Sequence, residues 1–128
     1  MAKTLFILND PPYGTERTYN ALRLAASLSK RDSEQVKVFL IGDAASGAKA
    51  GQKTPQGYYN VEVMLRSVTK RGGEIGICGT CMDARGLTDA ELSDAAHRSS
   101  LDQLTEWTEW ADKVSTRVAA LAGMTTFQ

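Results

Sequence analysis

A chain of 128 residues, 42% hydrophobic and 23% charged, has the size and composition of one globular domain with a single core, read here as residues 1–128. Fifteen Lys and Arg balance fifteen Asp and Glu, so no net field draws the protein to nucleic acid or an anionic membrane surface. No apolar run approaches the roughly 20 residues that span a bilayer, and MAKTLFILND has too short an apolar stretch for a secretory signal; a soluble, cytoplasmic protein is the expectation.

The run TLFILN, residues 4–9, is continuous, apolar and ended by DPPYG, the pattern of a buried strand leading into a turn. Residues 15–30 place Tyr19, Leu22, Ala25 and Ala26 on one helical face. VKVFLI, residues 36–41, is a second strand closed by GD. Residues 60–71 carry Val61, Met64, Leu65 and Val68 at i, i+3, i+4 and i+7, with Gly72 and Gly73 as a helix stop. EIGIC, residues 74–78, is a third strand. Strands apolar on both faces and alternating with helices imply a parallel α/β sheet covered by helices.

Farther along, residues 87–92 suit a short helix capped by Thr88 with Glu91 in the capping-box position. DAAHRSS is a weak candidate for a fourth strand. A helix follows, with Ser100 and Gln103 as a second capping box and Leu101, Leu104, Trp107 and Ala111 as its apolar stripe. Residues 113–118, KVSTRV, alternate as an edge strand does, but Ala111, Val114, Val118 and Leu121 also fit a continuing helix. Periodicity leaves both readings open.

Both cysteines, Cys78 and Cys81, form a CxxC pair directly after the third strand. In a reducing compartment such a pair is unlike a structural disulfide, and its loop is too small to constrain the unfolded chain much. Chemistry in open parallel sheets gathers at the carboxyl ends of the strands, where Cys78 stands. Gly79 and TCMDAR are able to enter a helical turn, whose backbone N–H groups favour thiolate over thiol. Cys78 is therefore the candidate nucleophile, with Arg85 as added positive charge opposed by Asp83. Cys81 reads either as a resolving thiol or as a passive neighbour, and two cysteines that merely pack are the plainest alternative. Structural zinc needs four ligands; two cysteines and His97 without ligand spacing do not make that set, so no metal is expected.

Two loops leave the same end of the sheet. GDAASGAKAGQKTPQGYYN, residues 42–60, superficially resembles a P-loop, but Gln52 separates Gly51 from Lys53 and breaks the motif. Lys53, Thr54 and Tyr58 from this loop, and Tyr13 from NDPPYGTERTYN, are candidates for a pocket rim above the thiol, together with Gly79 and Arg85. A crossover lobe or subunit contact explains the first loop equally well, and a plain loop-to-helix junction the second.

With NDPPYGTERTYNALRLA, GQKTPQGYYNVEVMLRSVTKRGGEIGICGTCMDARGL and SLDQLTEWTEWADKV in order along the chain, the sequence resembles the DsrE/DsrF-like family of small sulfur-relay proteins. The resemblance implies a three-layer α/β/α domain with a five-stranded parallel sheet, assembly as homotrimers or homohexamers, and a strand at residues 113–118. In relay members the cysteine just after the third strand carries sulfur as a persulfide to a partner protein; by position that is Cys78. Relay subunits of multi-subunit complexes often lack the second cysteine, so Cys81 adds the prospect of dithiol chemistry.

The leading expectation is a sulfur carrier, or sulfurtransferase-like protein, that needs no cofactor because the protein holds the transferred atom. Its partners would be sulfur-donor and sulfur-acceptor proteins. Two rivals stand beside it. One is a redox protein or sensor cycling a Cys78–Cys81 disulfide; the other is a small-anion or nucleotide-binding module in which the thiols are bystanders.

Overall fold

The apolar runs become the three inner strands of a parallel sheet in the computed structural model, which describes residues 1–116. Strand β1 is Ala2–Leu8, β2 is Glu34–Leu40 and β3 is Glu74–Cys78; the short strands β4 (His97–Ser99) and β5 (Lys113–Ser115) complete five. Their order is β4-β3-β2-β1-β5, and every pairing is parallel, with Phe6 beside Val38 and Phe39 beside Gly76. All carboxyl ends therefore share one edge. The winding direction reverses between β1 and β5, whereas Cys78 closes β3, two strands away. The site lies on the expected edge but not at the reversal.

Side chains alternate across a strand, and here the two sets meet different helices. Helices α1 (Arg17–Ser29) and α2 (Val61–Thr69) set Ala21, Leu22, Ala25, Val61, Leu65 and Val68 against Phe6, Leu8, Val38, Leu40, Ile75 and Ile77. The opposite face is smaller: Leu5, Phe39 and Trp107 are buried together, with Ile7, Ile41, Cys78, Leu104 and Val114 packed around them. Trp107 comes from α4 (Leu101–Trp110) and meets Phe39 edge to face, with ring centroids 6.2 Å apart, the arrangement aromatic quadrupoles favour. Gly76 permits this approach, since a Cβ there would stand 3.2 Å from both the Trp107 ring and Ser99 Cβ. The three α/β/α layers are thus uneven, with a broad helical layer on one side and α4 on the other.

The helix ends follow their local chemistry. Asn60 caps α2 by accepting from Val63 N at 3.2 Å. Beyond it Gly72 takes φ +92°, which a side chain would resist. Thr88 and Glu91 form the expected capping box, around a 3-10 turn at Asp89–Glu91. Ser100 caps α4 by accepting from Gln103 N at 3.2 Å, yet the second half of that box does not form. Gln103 Oε1 instead meets Ser99 Oγ and His97 Nε2, because β4 delivers those two polar groups directly beside it.

Three expectations need correction or closure. Leu101 is not part of a buried stripe: it is 73% exposed at the first turn of α4. The loop over residues 42–60 is less open than its polar composition suggests. Its first part is a 3-10 segment, Gly42–Ala48, whose Ala44, Ala45, Gly47 and Ala48 are buried, and small side chains let it lie close to Pro12 and Val61. The ambiguous KVSTRV segment begins as a strand, since Lys113–Ser115 pairs with Thr4, Leu5 and Phe6; Val118 and Leu121 lie outside the described residues. Among the described residues no helix is long and apolar enough to cross a membrane.

Candidate functional site

Alternation along β3 decides where the first sulfur points. Ile75 and Ile77 enter the larger core, which turns Gly76 and Cys78 toward α4. Cys78 then serves as the N-terminal flanking residue of a short helix, α3 (Gly79–Ala84), and the chain leaves the sheet. What remains above Cys78 is an open cleft of about 380 Å³. Phe39, Ile41, Leu101 and Leu104 form its apolar walls, and Thr80, Arg98, Ser99 and Ser100 supply polar groups. Both cysteines are free and half-buried.

The second sulfur faces the other way. One turn into α3, Cys81 packs against the α1/α2 core, and its Sγ accepts the Gly42 N–H at 3.2 Å. The pair thus straddles the edge of the sheet, Cys78 toward the cleft and Cys81 toward the interior.

Their proton affinities are pushed apart. Burial raises the Cys78 pKa, but hydrogen bonding from the Cys81 and Thr80 side chains and from the backbone N–H groups of both outweighs it and holds Cys78 below the usual thiol range. The Thr80 hydroxyl is 3.3 Å from Cys78 Sγ and can donate to a thiolate there. Cys81 moves upward, chiefly through burial and its own hydrogen bond to Cys78, against the opposing pull of Gly42 N–H and Arg85. Hydrogen bonds to the charged form lower a thiol's pKa and burial raises it. The arrangement favours ionisation of the cleft-side sulfur over that of the partner behind it.

Two arginine–aspartate pairs brace this turn. Arg98 makes a two-pronged contact with Asp83, at 3.0 and 2.9 Å, and reaches Asp89 at 3.5 Å. Its guanidinium lies so close over Gly79 that a Cβ there would stand 3.0 Å from Nε. On the Cys81 side, Arg85 meets Asp43 at 2.7 Å and donates to the Cys81 carbonyl at 3.1 Å. Asp83 therefore does not oppose Arg85; β4 brings it Arg98, while the 3-10 segment brings Asp43 to Arg85.

Of the residues expected at the site, Cys78 and Gly79 line the cleft, and Cys81 and Arg85 stand behind it. Tyr13, Lys53, Thr54 and Tyr58 are not among its lining residues. The cause is Glu62, whose Oε1 accepts from Gly51 N and Gln52 N, at 3.0 Å each, and folds the loop onto α2. Tyr13 accepts from Val61 N at 3.0 Å and stacks on Tyr59, as does Tyr58. Lys53 is exposed and Thr54 half-buried. The sequence reading missed Thr80, Arg98 and Gly42. Thr80 was open to detection as a hydroxyl two residues after the nucleophile; Arg98 and Gly42 reach the site only through the fold.

The model of the DsrE/DsrF-like family matches residues 2–116. The chain belongs to the DsrE/DsrF-like family. Among its relatives, protein YchN of Escherichia coli K12 is 38% identical over 117 residues, covering 91% of this chain and 99% of YchN. The uncharacterized protein MK0008 of Methanopyrus kandleri is 33% identical, covering 84% of this chain and 88% of its own. The crystal structure of E. coli YchN superposes with a TM-score of 0.85 over 91% of this chain and 99% of that one. A Methanobacterium thermoautotrophicum protein of unknown function, MTH1491, shares the fold at a TM-score of 0.63 and 12% identity, covering 87% and 96%. For this DsrE/DsrF-like chain, family membership points to a role related to sulfur relay.

Proposed function

We propose that the protein is an intracellular sulfur carrier in which the Cys78 thiolate accepts the outer sulfur of a donor persulfide. The thiolate attacks that sulfur, a new S–S bond forms on Cys78, the donor's S–S bond breaks, and the donor leaves as a thiolate. Delivery is the mirror step: an acceptor thiolate attacks the outer sulfur and Cys78 leaves as a thiolate again. No electrons enter or leave the cycle, so no cofactor is needed. The observation that carries the reading is the placement of Cys78 Sγ, free, at the floor of an open cleft and 3.3 Å from the Thr80 hydroxyl.

The hydrogen bonds that favour the thiolate also make Cys78 a good leaving group in the delivery step, because a thiol of lower pKa leaves faster. The apolar walls of Phe39, Ile41 and Leu104 give the outer sulfur, a polarizable and weakly hydrated atom, a place shielded from water. Partners in this reading are donor and acceptor proteins that reach the cleft, and assembly as a homotrimer or homohexamer belongs to the same proposal. To test it, the protein is incubated with a small-molecule persulfide and its intact mass is measured. One added sulfur atom per chain is expected in Cys81→Ser, where no second thiol can displace it, and none in Cys78→Ser. Sulfur that still loads onto Cys78→Ser removes Cys78 from the chemistry.

A further inference from the structure

We infer that Cys81 is a resolving thiol, which gives the protein a second outcome besides delivery: reductive release of the carried sulfur as hydrosulfide. This rests on the carrier reading, since it begins from the Cys78 persulfide. The geometry comes from the two sides of the sheet edge. Cys78 opens onto the α4-side cleft, whose lining does not include Cys81, while Cys81 is packed against the opposite core. An outer sulfur on Cys78 would occupy the cleft, the space available to it. Attack on a disulfide or persulfide sulfur requires the nucleophile, the attacked sulfur and the leaving sulfur to lie roughly in line. With Cys81 behind Cys78 and the outer sulfur in front, the fold sets up that line.

Groups around Cys81 suit an attacking sulfur and have no evident use for a bystander. Gly42 N–H points at its Sγ from 3.2 Å, and Arg85, held by Asp43 and bonded to the Cys81 carbonyl, supplies positive charge. Both favour the thiolate that Cys81 must become. In the resting protein the hydrogen bond to Cys78 holds the Cys81 proton more tightly; once Cys78 carries sulfur, the thiolate that accepts that hydrogen bond is gone and the restraint is lifted.

The step balances within the chain. Cys81 gives up its proton to solvent, its sulfur bonds to Cys78 Sγ, and the bond from Cys78 Sγ to the outer sulfur breaks. The outer sulfur leaves as HS⁻ with the electron pair. It is reduced, and the two cysteines are oxidised to a Cys78–Cys81 disulfide. Resetting the site takes two reducing equivalents from a cellular thiol, which leaves as its own disulfide.

The experiment loads wild-type protein and Cys81→Ser with glutathione persulfide, removes the reagent, and withholds any acceptor. Released sulfide and intact mass are then followed together. Wild type should release one sulfide per chain and finish as the intramolecular disulfide, whether or not its persulfide is seen on the way. Cys81→Ser should keep the added sulfur and release sulfide at least about tenfold more slowly, since the tethered nucleophile is gone. Retention of sulfur by Cys81→Ser also shows that the variant is folded and competent. A wild-type persulfide as long-lived as the variant's, with Cys81 still free, overturns the resolving role and leaves the carrier reading standing. Failure of Cys81→Ser to take up sulfur at all overturns the carrier reading, and the resolving role with it.

Discussion

Removing the Thr80 hydroxyl is the sharpest perturbation of Cys78 ionisation, because Thr80→Val keeps the side chain's shape. A hydrogen bond to a charged group contributes about 1.5–3 kcal/mol when well enclosed. Cys78 is half-buried and keeps its other donors, so about 1 kcal/mol is a fair share after solvent screening. That corresponds to a thiolate-to-thiol ratio about fivefold smaller. The remaining thiolate becomes more basic and more nucleophilic; with a Brønsted slope of about 0.4–0.5 it regains roughly twofold. Reaction with a small aromatic disulfide should therefore slow by about two- to threefold at pH values below the titration of Cys78. Above that titration both proteins are fully ionised, and Thr80→Val should react about twofold faster. The rate–pH curves must cross. The assay is stopped-flow absorbance in a Cys81→Ser background, where one thiol reports, and Thr80→Ser should restore the parent curve. Curves that coincide, or that differ by a constant factor at every pH, would refute the reasoning.

Other consequences concern the frame of the site. Gly76→Ala places a methyl group under the Trp107 ring, where 3.2 Å is available, and should destabilise by about 1–3 kcal/mol in urea unfolding; wild-type stability would contradict the close approach. Trp107→Ala should cost about 3–5 kcal/mol in the same assay, and should loosen the α4 wall of the cleft, raising the accessibility of Cys78 to a bulky alkylating agent. Asn60→Ala removes the α2 cap and should cost about 1 kcal/mol, with no change in Cys78 reactivity, since α2 lies on the other face of the sheet.

Strands β1 to β3 are legible in the sequence because each is apolar on both faces, a demand only a sheet covered on both sides makes. The end of β3 is legible too, and with it the position of Cys78. The short strands are not: HRS and KVS carry no hydrophobic pattern of their own and are strands because β3 and β1 offer them edges. The same cause hides Arg98. Its role depends on β4 pairing Arg98 beside Ile77, fifteen residues beyond its partner Asp83. The loop over residues 42–60 illustrates the opposite error. Lys53 and Thr54 start from the correct edge of the sheet, but the buried Glu62 carboxylate collects two backbone N–H groups and draws the loop onto α2. A polar anchor inside a helix of otherwise good amphipathic pattern carries no sequence signal of the segment it will bind.

The most direct measurement is the site-resolved titration of the two thiols, by NMR of isotope-labelled cysteine across the pH range. If Thr80, Cys81 and the backbone at the start of α3 hold Cys78 as an anion, Cys78 titrates below an ordinary thiol and Cys81 above it. Two ordinary titrations, or Cys81 losing its proton first, would contradict Cys78 as the sulfur-accepting thiolate.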